Sequence, residues 1–283
     1  MKKYIFLLPL YNDWESLALL LDKINNQIKN LNKFAEILVV NDNSTMKPPK
    51  FESFSNINKI HIINLKSNLG SQKAISIGLN YLKEKDNDMI ITILDSDGED
   101  DVSKIPYMIY EAEKENERVI VSTRTKRQEN FFFKLMYFLH KLLTFAFTLK
   151  WISYGNYSSF NSNQISKILS NNSSWLAFSA CLAKNCNIKK IRAERKKRLI
   201  GDSKLSLLSL IFHSLRVNAV FPLRNFLLSS FYISFLTLLF VNGLKWALYV
   251  IIVIIFYYIL LILTIMINNQ KKFFTSLEYL ENT

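Results

Sequence analysis

Residues 89–98 read MIITILDSDG, an apolar run that ends in two aspartates separated by one residue. The run Met89–Leu94 is short, uncharged and rich in β-branched residues, which predicts a buried strand. Asp95 and Asp97 follow directly where this strand ends. Ligands of open α/β sheets bind at the carboxyl ends of the strands, so the two carboxylates are candidate functional groups.

Similar apolar runs occur on both sides of this segment and alternate with helical patterns. The predicted strands are Tyr4–Leu10, Glu36–Val40, Ile60–Leu65 and Arg118–Ser122, and the predicted helices are Trp14–Asn30, Ser71–Lys85 and Val102–Asn116. Continuous apolar strands are typical of a mostly parallel sheet that is covered by helices on both faces. The predicted fold class is therefore α/β.

The composition excludes several classes of protein. The chain has 283 residues, 49% of them hydrophobic, with a formal net charge of +13 from 36 Lys and Arg against 23 Asp and Glu. The high apolar fraction excludes a disordered chain, and two cysteines exclude a disulfide scaffold or a zinc site. The positive charge leaves three kinds of partner: nucleic acid, a membrane surface or an anionic substrate.

The C-terminal part contains two long uncharged runs, Phe226–Leu244 and Trp246–Ile267, separated by Lys245. Each has about the 20 residues needed to cross the hydrocarbon core of a bilayer, which predicts a transmembrane hairpin over 226–244 and 246–267. A pair of buried core helices is the alternative. Positive residues flank the hairpin outside its connecting turn, which predicts that both ends are cytoplasmic: Arg216, Arg224, Lys271 and Lys272.

Two further segments, 131–152 and 205–217, have apolar residues at helical spacing with interspersed cations. They are candidate interfacial helices, and core helices with one solvated face are the alternative. The predicted organisation is a cytosolic domain over 1–224, a hairpin over 225–268 and a cytosolic tail over 269–283. A basic cluster over 189–204 precedes the hairpin, which favours anionic lipid as its partner over nucleic acid, since aromatic interleaving is lacking.

Candidate ligand-binding residues follow three strands of the predicted domain. Asp95 and Asp97 are hard oxygen ligands suited to Mg²⁺ or Mn²⁺, which can bridge a diphosphate. Asp42 follows the second strand, where its carboxylate can bind a nucleobase edge or a ribose hydroxyl, or can simply form a turn. Gly70 and Ser71 open a helix whose free N–H groups can face a ligand, although a capped helix alone explains them.

Six motifs that occur in order before the hairpin resemble those of family 2 glycosyltransferases. They are LPLYND at 8–13, NDNS at 41–44, NLGSQKAISIG at 68–78, DSD at 95–97, VSTR at 121–124 and RLIGDSK at 198–204. The last motif and the two apolar runs are similar to the dolichol-phosphate-mannose synthase-like branch, which includes polyprenyl-phosphate glycosyltransferases.

This resemblance implies a GT-A fold, a nucleotide-sugar donor and a divalent cation, Mg²⁺ or Mn²⁺. The implied metal ligands are Asp95, Asp97 and Glu99. The implied donor site consists of Pro9, Tyr11, Asp13, Asp42, Gly70, Lys73 and Asp95. The implied phosphate or acceptor contacts are Arg124, Arg198, Ser203 and Lys204. Glu99 or Asp100 would act as the base if the acceptor is a hydroxyl, whereas a lipid phosphate needs none.

The chain differs from the common pattern of this branch at three positions. Glu99 stands where Gln is frequent, Asn156 where Asp is more usual, and Ser158 where an Arg helps to hold a polyprenyl phosphate. The predicted function is an inverting transfer of a sugar from a nucleotide sugar to a membrane-associated acceptor, with a polyprenyl phosphate as one candidate. A non-catalytic membrane scaffold or binding protein that keeps the same fold is the alternative, and homo-oligomerisation is left open.

Overall fold

A seven-stranded sheet forms the core of the first part of the chain. The structure, a computed structural model, describes residues 2–85, 88–124, 131–171, 173–201 and 207–268. The chain divides into two units, of which the first comprises residues 1–128, 153–204 and 271–283 and the second residues 129–152 and 205–270. Each unit is described separately below.

The sheet of the first unit is mostly parallel, as predicted. Its strands are β1 Lys3–Leu10, β2 Ala35–Asn41, β3 Ile57–Asn64, β4 Met89–Ile93, β5 Arg118–Arg124, β6 Tyr154–Asn161 and β7 Asn187–Ala193. Their order in the sheet is β3-β2-β1-β4-β6-β5-β7. Among the strands of the described residues, only β6 runs antiparallel to its neighbours β4 and β5, whereas β5 pairs with β7 in parallel. Polar motifs that follow β1, β2 and β4 therefore meet at one edge.

The helices of this unit pack against the sheet or against one another. They are α1 Trp14–Asn30, α2 Ser71–Lys83, α3 Ile105–Lys114, α5 Ile165–Ile168, α6 Ser173–Leu176 and α7 Phe178–Asn185. Helix α2 approaches the sheet closely at Gly78, where an added Cβ would lie 2.4 Å from Leu7 Cδ1. A glycine is needed here because the interior has no space for another methyl group.

The structure differs from the predictions in two ways within this unit. The predicted helix over 102–116 begins as a 3₁₀ turn, Val102–Lys104, and becomes α-helical at Ile105, because Pro106 favours the first turn of a helix. Strands β6 and β7 were not predicted. Ser158 and Ser159 are fully buried in β6, and a strand of such small polar residues lacks the apolar signal of a buried strand.

In the second unit, the described residues form four helices: α4 Phe131–Thr148, α8 Leu207–Ala219, α9 Pro222–Val241 and α10 Ala247–Ile267. Helices α9 and α10 are long and apolar enough to cross a membrane, with mean hydropathies of 1.5 and 3.2 over their most apolar windows. The turn between them includes Gly243 at φ +96°, a conformation that favours glycine. The ends of these helices lie within four residues of the predicted ends.

Polar side chains connect the helices of this unit. Asn225 donates to the carbonyls of Asn218 and Phe221, and its own side-chain oxygen accepts from the Tyr257 hydroxyl at 2.9 Å. The Tyr232 hydroxyl donates to the carbonyl of Ala146 at 2.7 Å, which joins α9 to α4. The segments 129–152 and 205–224 thus group with the apolar helices, which differs from the predicted boundary at residue 224.

Candidate active site

An open pocket of about 240 Å³ lies at the edge of the sheet where β1, β2 and β4 end. Six predicted site residues line it, together with Ser71, which was predicted to open a helix that faces a ligand, and with two residues that were not predicted. The lining consists of Pro9, Leu10, Tyr11, Asp13, Asp42, Ser71, Asp95, Ser96 and Asp97. The parallel strands bring these motifs together although up to 88 residues separate them along the chain. Four carboxylates in one pocket indicate a site for cations or for sugar and ribose hydroxyls.

Asp95 and Asp97 occupy the turn that follows β4. Burial, and then the charge of Asp95, raises the pKa of Asp97 above its ordinary value. The backbone N–H of Glu99 donates to Asp97 at 3.0 Å, and Arg198 Nη1 lies 3.7 Å from the other Asp97 oxygen. Two close carboxylates in a partly desolvated turn favour a bound cation, because it relieves their mutual repulsion.

Asp42 supports the loop that leads into α2. Its two side-chain oxygens accept from the backbone N–H groups of Leu69 and Gly70, each at 2.7 Å. Burial raises the pKa of Asp42, and these two hydrogen bonds oppose that shift. Gly70 has a φ of +89° and precedes the first turn of α2, so this loop depends on a residue without a Cβ.

Residues 194–201, the basic segment that follows β7, run beside the turn that contains Asp95 and Asp97. The backbone N–H groups of Lys196 and Leu199 donate to the carbonyls of Glu99 and Asp97, at 2.8 and 3.1 Å. This pairing brings the Arg198 guanidinium to Asp13, to which it donates a hydrogen bond. Arg198 therefore lies between two pocket carboxylates, a position from which it can reach a phosphate.

Glu99 and Asp100 have other partners. The Glu99 carboxylate accepts from Arg195 Nε at 2.7 Å, and both side chains are largely buried. Asp100 is 7% exposed, and its carboxylate accepts from the backbone N–H of Asp95 at 3.2 Å. Within the described residues, no group of three or more His, Cys, Asp or Glu side chains is arranged to hold a metal ion. Glu99 of the predicted ligand set is bound to Arg195, and its role as a metal ligand stays a prediction.

The remaining predicted residues lie around or outside the pocket. Lys73 is in the first turn of α2, 5.0 Å from the centre of the Trp175 ring, and its charge acts on Asp42. Arg124 ends β5 opposite Ala193, and its side chain lies outside the described part of the structure. Ser203 and Lys204 also lie outside the described residues. Their roles stay predictions.

Three residues near the site carried no predicted role there: Gln72, Asn156 and Arg195. Asn156 donates to Asp95 at 3.0 Å, and Gln72 donates to Asn156 at 3.2 Å. Arg195 was predicted only as a member of the basic cluster. The sequence signalled Asn156 only as a departure from the family pattern. Its contact with Asp95 was not predicted, because that contact depends on strand β6, which was not predicted either.

The pair Asp95 and Asp97 fits a divalent cation in its donor chemistry. Both supply carboxylate oxygens to the same pocket, and the charges of Arg198 and Arg195 oppose only part of the burial and repulsion that raise the pKa of Asp97. Mg²⁺ and Mn²⁺ accept such oxygen ligands and commonly complete their shell with phosphate oxygens and water. Two carboxylates are sufficient for that arrangement.

Comparison with known proteins identifies relatives of this chain. Residues 6–172 match the sequence model of the family described as glycosyl transferase family 2. Undecaprenyl-phosphate 4-deoxy-4-formamido-L-arabinose transferase of Proteus mirabilis is 34% identical over 135 residues, 47% of this chain and 40% of that protein. The enzyme of the same name from Yersinia pestis is 34% identical over 136 residues. The chain matches less than half the length of these curated relatives.

Solved structures show the same fold. Glucosyl-3-phosphoglycerate synthase from Mycobacterium tuberculosis, in complex with Mn²⁺, UDP-glucose and phosphoglyceric acid, aligns with a TM-score of 0.53 at 12% identity. The alignment covers 79% of this chain and 80% of that one. A complex of the same enzyme with Mn²⁺, UDP and phosphoglyceric acid aligns with a TM-score of 0.52. At this identity the similarity establishes the GT-A fold.

Proposed function

Because the chain belongs to glycosyl transferase family 2, we propose that it transfers a sugar from a nucleotide-sugar donor to a lipid phosphate at a membrane. The observation that carries this proposal is the convergence of Asp42, Asp95 and Asp97 in one pocket beside Arg198. Carboxylates for a ribose and a cation, next to a guanidinium for phosphate, match the parts of a nucleoside diphosphate sugar.

The residues of the pocket have separate roles in this proposal. Pro9, Tyr11, Asp13 and Asp42 bind the nucleoside. Asp95 and Asp97 hold a divalent cation, which supplies positive charge for the nucleoside diphosphate as it leaves. Arg198 moves from Asp13 to the donor or acceptor phosphate, which it can engage with two parallel hydrogen bonds.

The reaction is proposed as a direct displacement with inversion. An acceptor oxygen attacks the anomeric carbon, and the new C–O bond forms as the bond to the diphosphate breaks, with its electron pair remaining on the leaving group. A phosphate acceptor is already an anion and needs no base. This suits a site in which Glu99 binds Arg195 and Asp100 binds a backbone N–H.

The names of the relatives support a lipid phosphate acceptor. Undecaprenyl phosphate is named as the acceptor of the Proteus mirabilis and Yersinia pestis transferases. The segments 131–152 and 207–268 of this chain contain no Asp or Glu, and two of their helices are long enough to cross a bilayer. Apolar segments with cations and no acidic residues suit a membrane that presents an anionic lipid, with the first unit on the cytoplasmic side.

Labelled nucleotide sugars test the proposal. Membranes that contain the full chain are incubated with a panel of them and Mn²⁺, and the lipids are extracted. We expect label in the lipid fraction that mild acid releases, since glycosyl phosphates are acid-labile, and no label with Asp97→Ala. Label that resists mild acid would contradict a phosphate acceptor. Absence of both transfer and hydrolysis for every donor would indicate a non-catalytic protein that keeps the fold.

A further inference from the structure

Asp95 has a neutral side-chain partner, in contrast to the three nearby carboxylates that face arginines. Asp13 and Asp97 are close to Arg198, and Glu99 binds Arg195. Asp95 instead accepts a hydrogen bond from the side-chain amide of Asn156, Nδ2 to Oδ1, at 3.0 Å. An amide restrains a carboxylate without cancelling its charge, so Asp95 keeps its attraction for a cation.

The direction of this hydrogen bond follows from a series of contacts that begins at the backbone of Phe178. The backbone N–H of Phe178 can only donate, and it lies 2.6 Å from Gln72 Oε1, which must accept. The Gln72 amide nitrogen then donates to Asn156 Oδ1 at 3.2 Å. The Asn156 nitrogen is consequently turned towards Asp95. The Phe178 N–H thus sets the orientation of the Gln72 amide, which in turn sets the orientation of the Asn156 amide.

Three rigid elements hold this chain of amides. Gln72 is in the first turn of α2, Asn156 is in β6, and Phe178 is the first residue of α7 and fully buried. The N–H groups in the first turn of a helix have no partner within the helix, so Gln72 also satisfies a donor that would otherwise lack one. Side chains on packed elements hold a site more precisely than side chains on loops.

We propose that Gln72 and Asn156 are positioning residues for Asp95: an amide relay that starts at the Phe178 N–H orients the Asp95 carboxylate as a metal ligand. The inference rests on the proposed function in that it assigns a cation to Asp95. It goes beyond that function because it concerns two residues that do not line the pocket. Residues that orient metal ligands typically alter affinity about 10- to 100-fold when replaced.

Mn²⁺ binding tests the relay without any requirement for sugar transfer. The full chain in detergent is titrated with Mn²⁺, and free Mn²⁺ is measured by its electron paramagnetic resonance signal, with and without UDP. Asn156→Leu removes the donor to Asp95. Gln72→Glu keeps the size and the bond from Phe178 but cannot donate, so the Asn156 amide is expected to turn its oxygen towards Asp95. We expect each variant to bind Mn²⁺ about 10- to 100-fold more weakly.

A double variant separates this role from a general structural one. In the Asn156→Leu background no amide remains to be reversed, so Gln72→Glu is expected to cause no further loss of Mn²⁺ affinity. Purely structural effects would add instead. Asn161→Leu is the matched control, since it removes another buried amide from β6, opposite Ile90 at the far end of β4. It is expected to lower the melting temperature and to leave Mn²⁺ affinity within twofold of the wild type.

Three results would overturn the relay: wild-type Mn²⁺ affinity in Asn156→Leu or Gln72→Glu, additive losses in the double variant, or no Mn²⁺ binding by the wild-type chain. A variant that fails to fold is replaced by Asn156→Ala or Gln72→Ala, and the same criteria apply. Failure of the proposed function gives a different result. In that case the Mn²⁺ affinities would follow the expected pattern while no donor sugar reaches a lipid.

Discussion

Leu199 lies directly over the glycine that follows the two aspartates, because a Cβ placed on Gly98 would be 2.4 Å from Leu199 Cδ1. The N–H of Leu199 also donates to the carbonyl of Asp97 at 3.1 Å. The basic segment therefore rests on the aspartate turn at a point where no side chain fits. Through this contact the position of Arg198 depends on the residue at position 98.

Gly98→Ala is expected to displace the basic segment and to reduce sugar transfer at least tenfold. Gly98 has a φ of +75°, so alanine also adds backbone strain of about 1–2 kcal/mol. Transfer is measured as label in extracted lipid. Leu199→Ala in the same chain is expected to restore part of the activity by removing the clash. Gly243→Ala, at φ +96° with no atom within 4 Å of its Cβ, controls for strain alone. Equal losses in both single variants would contradict the contact argument.

Asp97→Asn is expected to abolish metal-dependent transfer and to raise the free energy of unfolding at neutral pH. Burial and the charge of Asp95 raise the pKa of Asp97, so ionisation is less favourable in the folded chain than in the unfolded chain. This cost is present at neutral pH, where Asp97 is ionised in the unfolded chain. It disappears as the pH falls below the ordinary Asp value of about 3.9, where both states are protonated.

The measurement for Asp97→Asn is denaturant unfolding of both chains between pH 7 and pH 3.5. The variant should be the more stable one at pH 7, and the difference should shrink towards acid pH. A difference that grows as the pH falls would mean that ionised Asp97 stabilises the fold, which is the opposite of the expected sign.

Arg198→Ala is expected to raise the KM for the donor or the acceptor by about tenfold, since a hydrogen bond to a charged group contributes about 1.5–3 kcal/mol. Arg198→Lys should recover only part of the loss, because lysine lacks the planar fork that engages two phosphate oxygens. Combining Arg198→Ala with Lys204→Ala is expected to raise this KM further. Lys197→Ala is the control: this exposed lysine belongs to the same segment. An unchanged KM for both donor and acceptor in Arg198→Ala would refute the phosphate role of Arg198.

A cysteine in place of Asn242 is expected to react with a membrane-impermeant thiol reagent from outside intact cells. Asn242 is exposed in the turn between α9 and α10, and the proposed topology places this turn outside. Of the natural cysteines in the first unit, the half-buried Cys186 should react only after the membrane is opened, and the buried Cys181 should not react in the folded chain. Labelling of position 242 only in opened cells would reverse the topology or exclude a hairpin that spans the membrane.

The strands that bear the pocket could be predicted because each carries its own local signal. The runs that became β1, β2 and β4 are continuous and apolar, and each is followed directly by the polar residues that line the pocket. Parallel pairing of such strands then brings Pro9, Asp42 and Asp95 to one edge without further information. The apolar length of α9 and α10 is likewise a property of composition alone.

Other features depend on pairs that are distant in the sequence. Strand β6 consists mostly of Ser, Asn and Tyr and is stabilised by hydrogen bonds to β4 and β5 on both sides, so it lacks a continuous hydrophobic signal of its own. Glu99 was predicted as a metal ligand, but a partner 96 residues away holds its carboxylate. The orientation of Asn156 likewise depends on Phe178, which precedes Asn156 in the relay but follows it in the chain.

The sequence by itself therefore determined the α/β order of the first unit, the apolar character of the second and the carboxylates of the pocket. Each of these follows from a local pattern of residue types. Only the tertiary structure decided which carboxylate has a cation, an amide or a backbone N–H as its partner. Hydrogen bonds and ion pairs act over about 3–4 Å, so their partners are known only once distant segments have packed together.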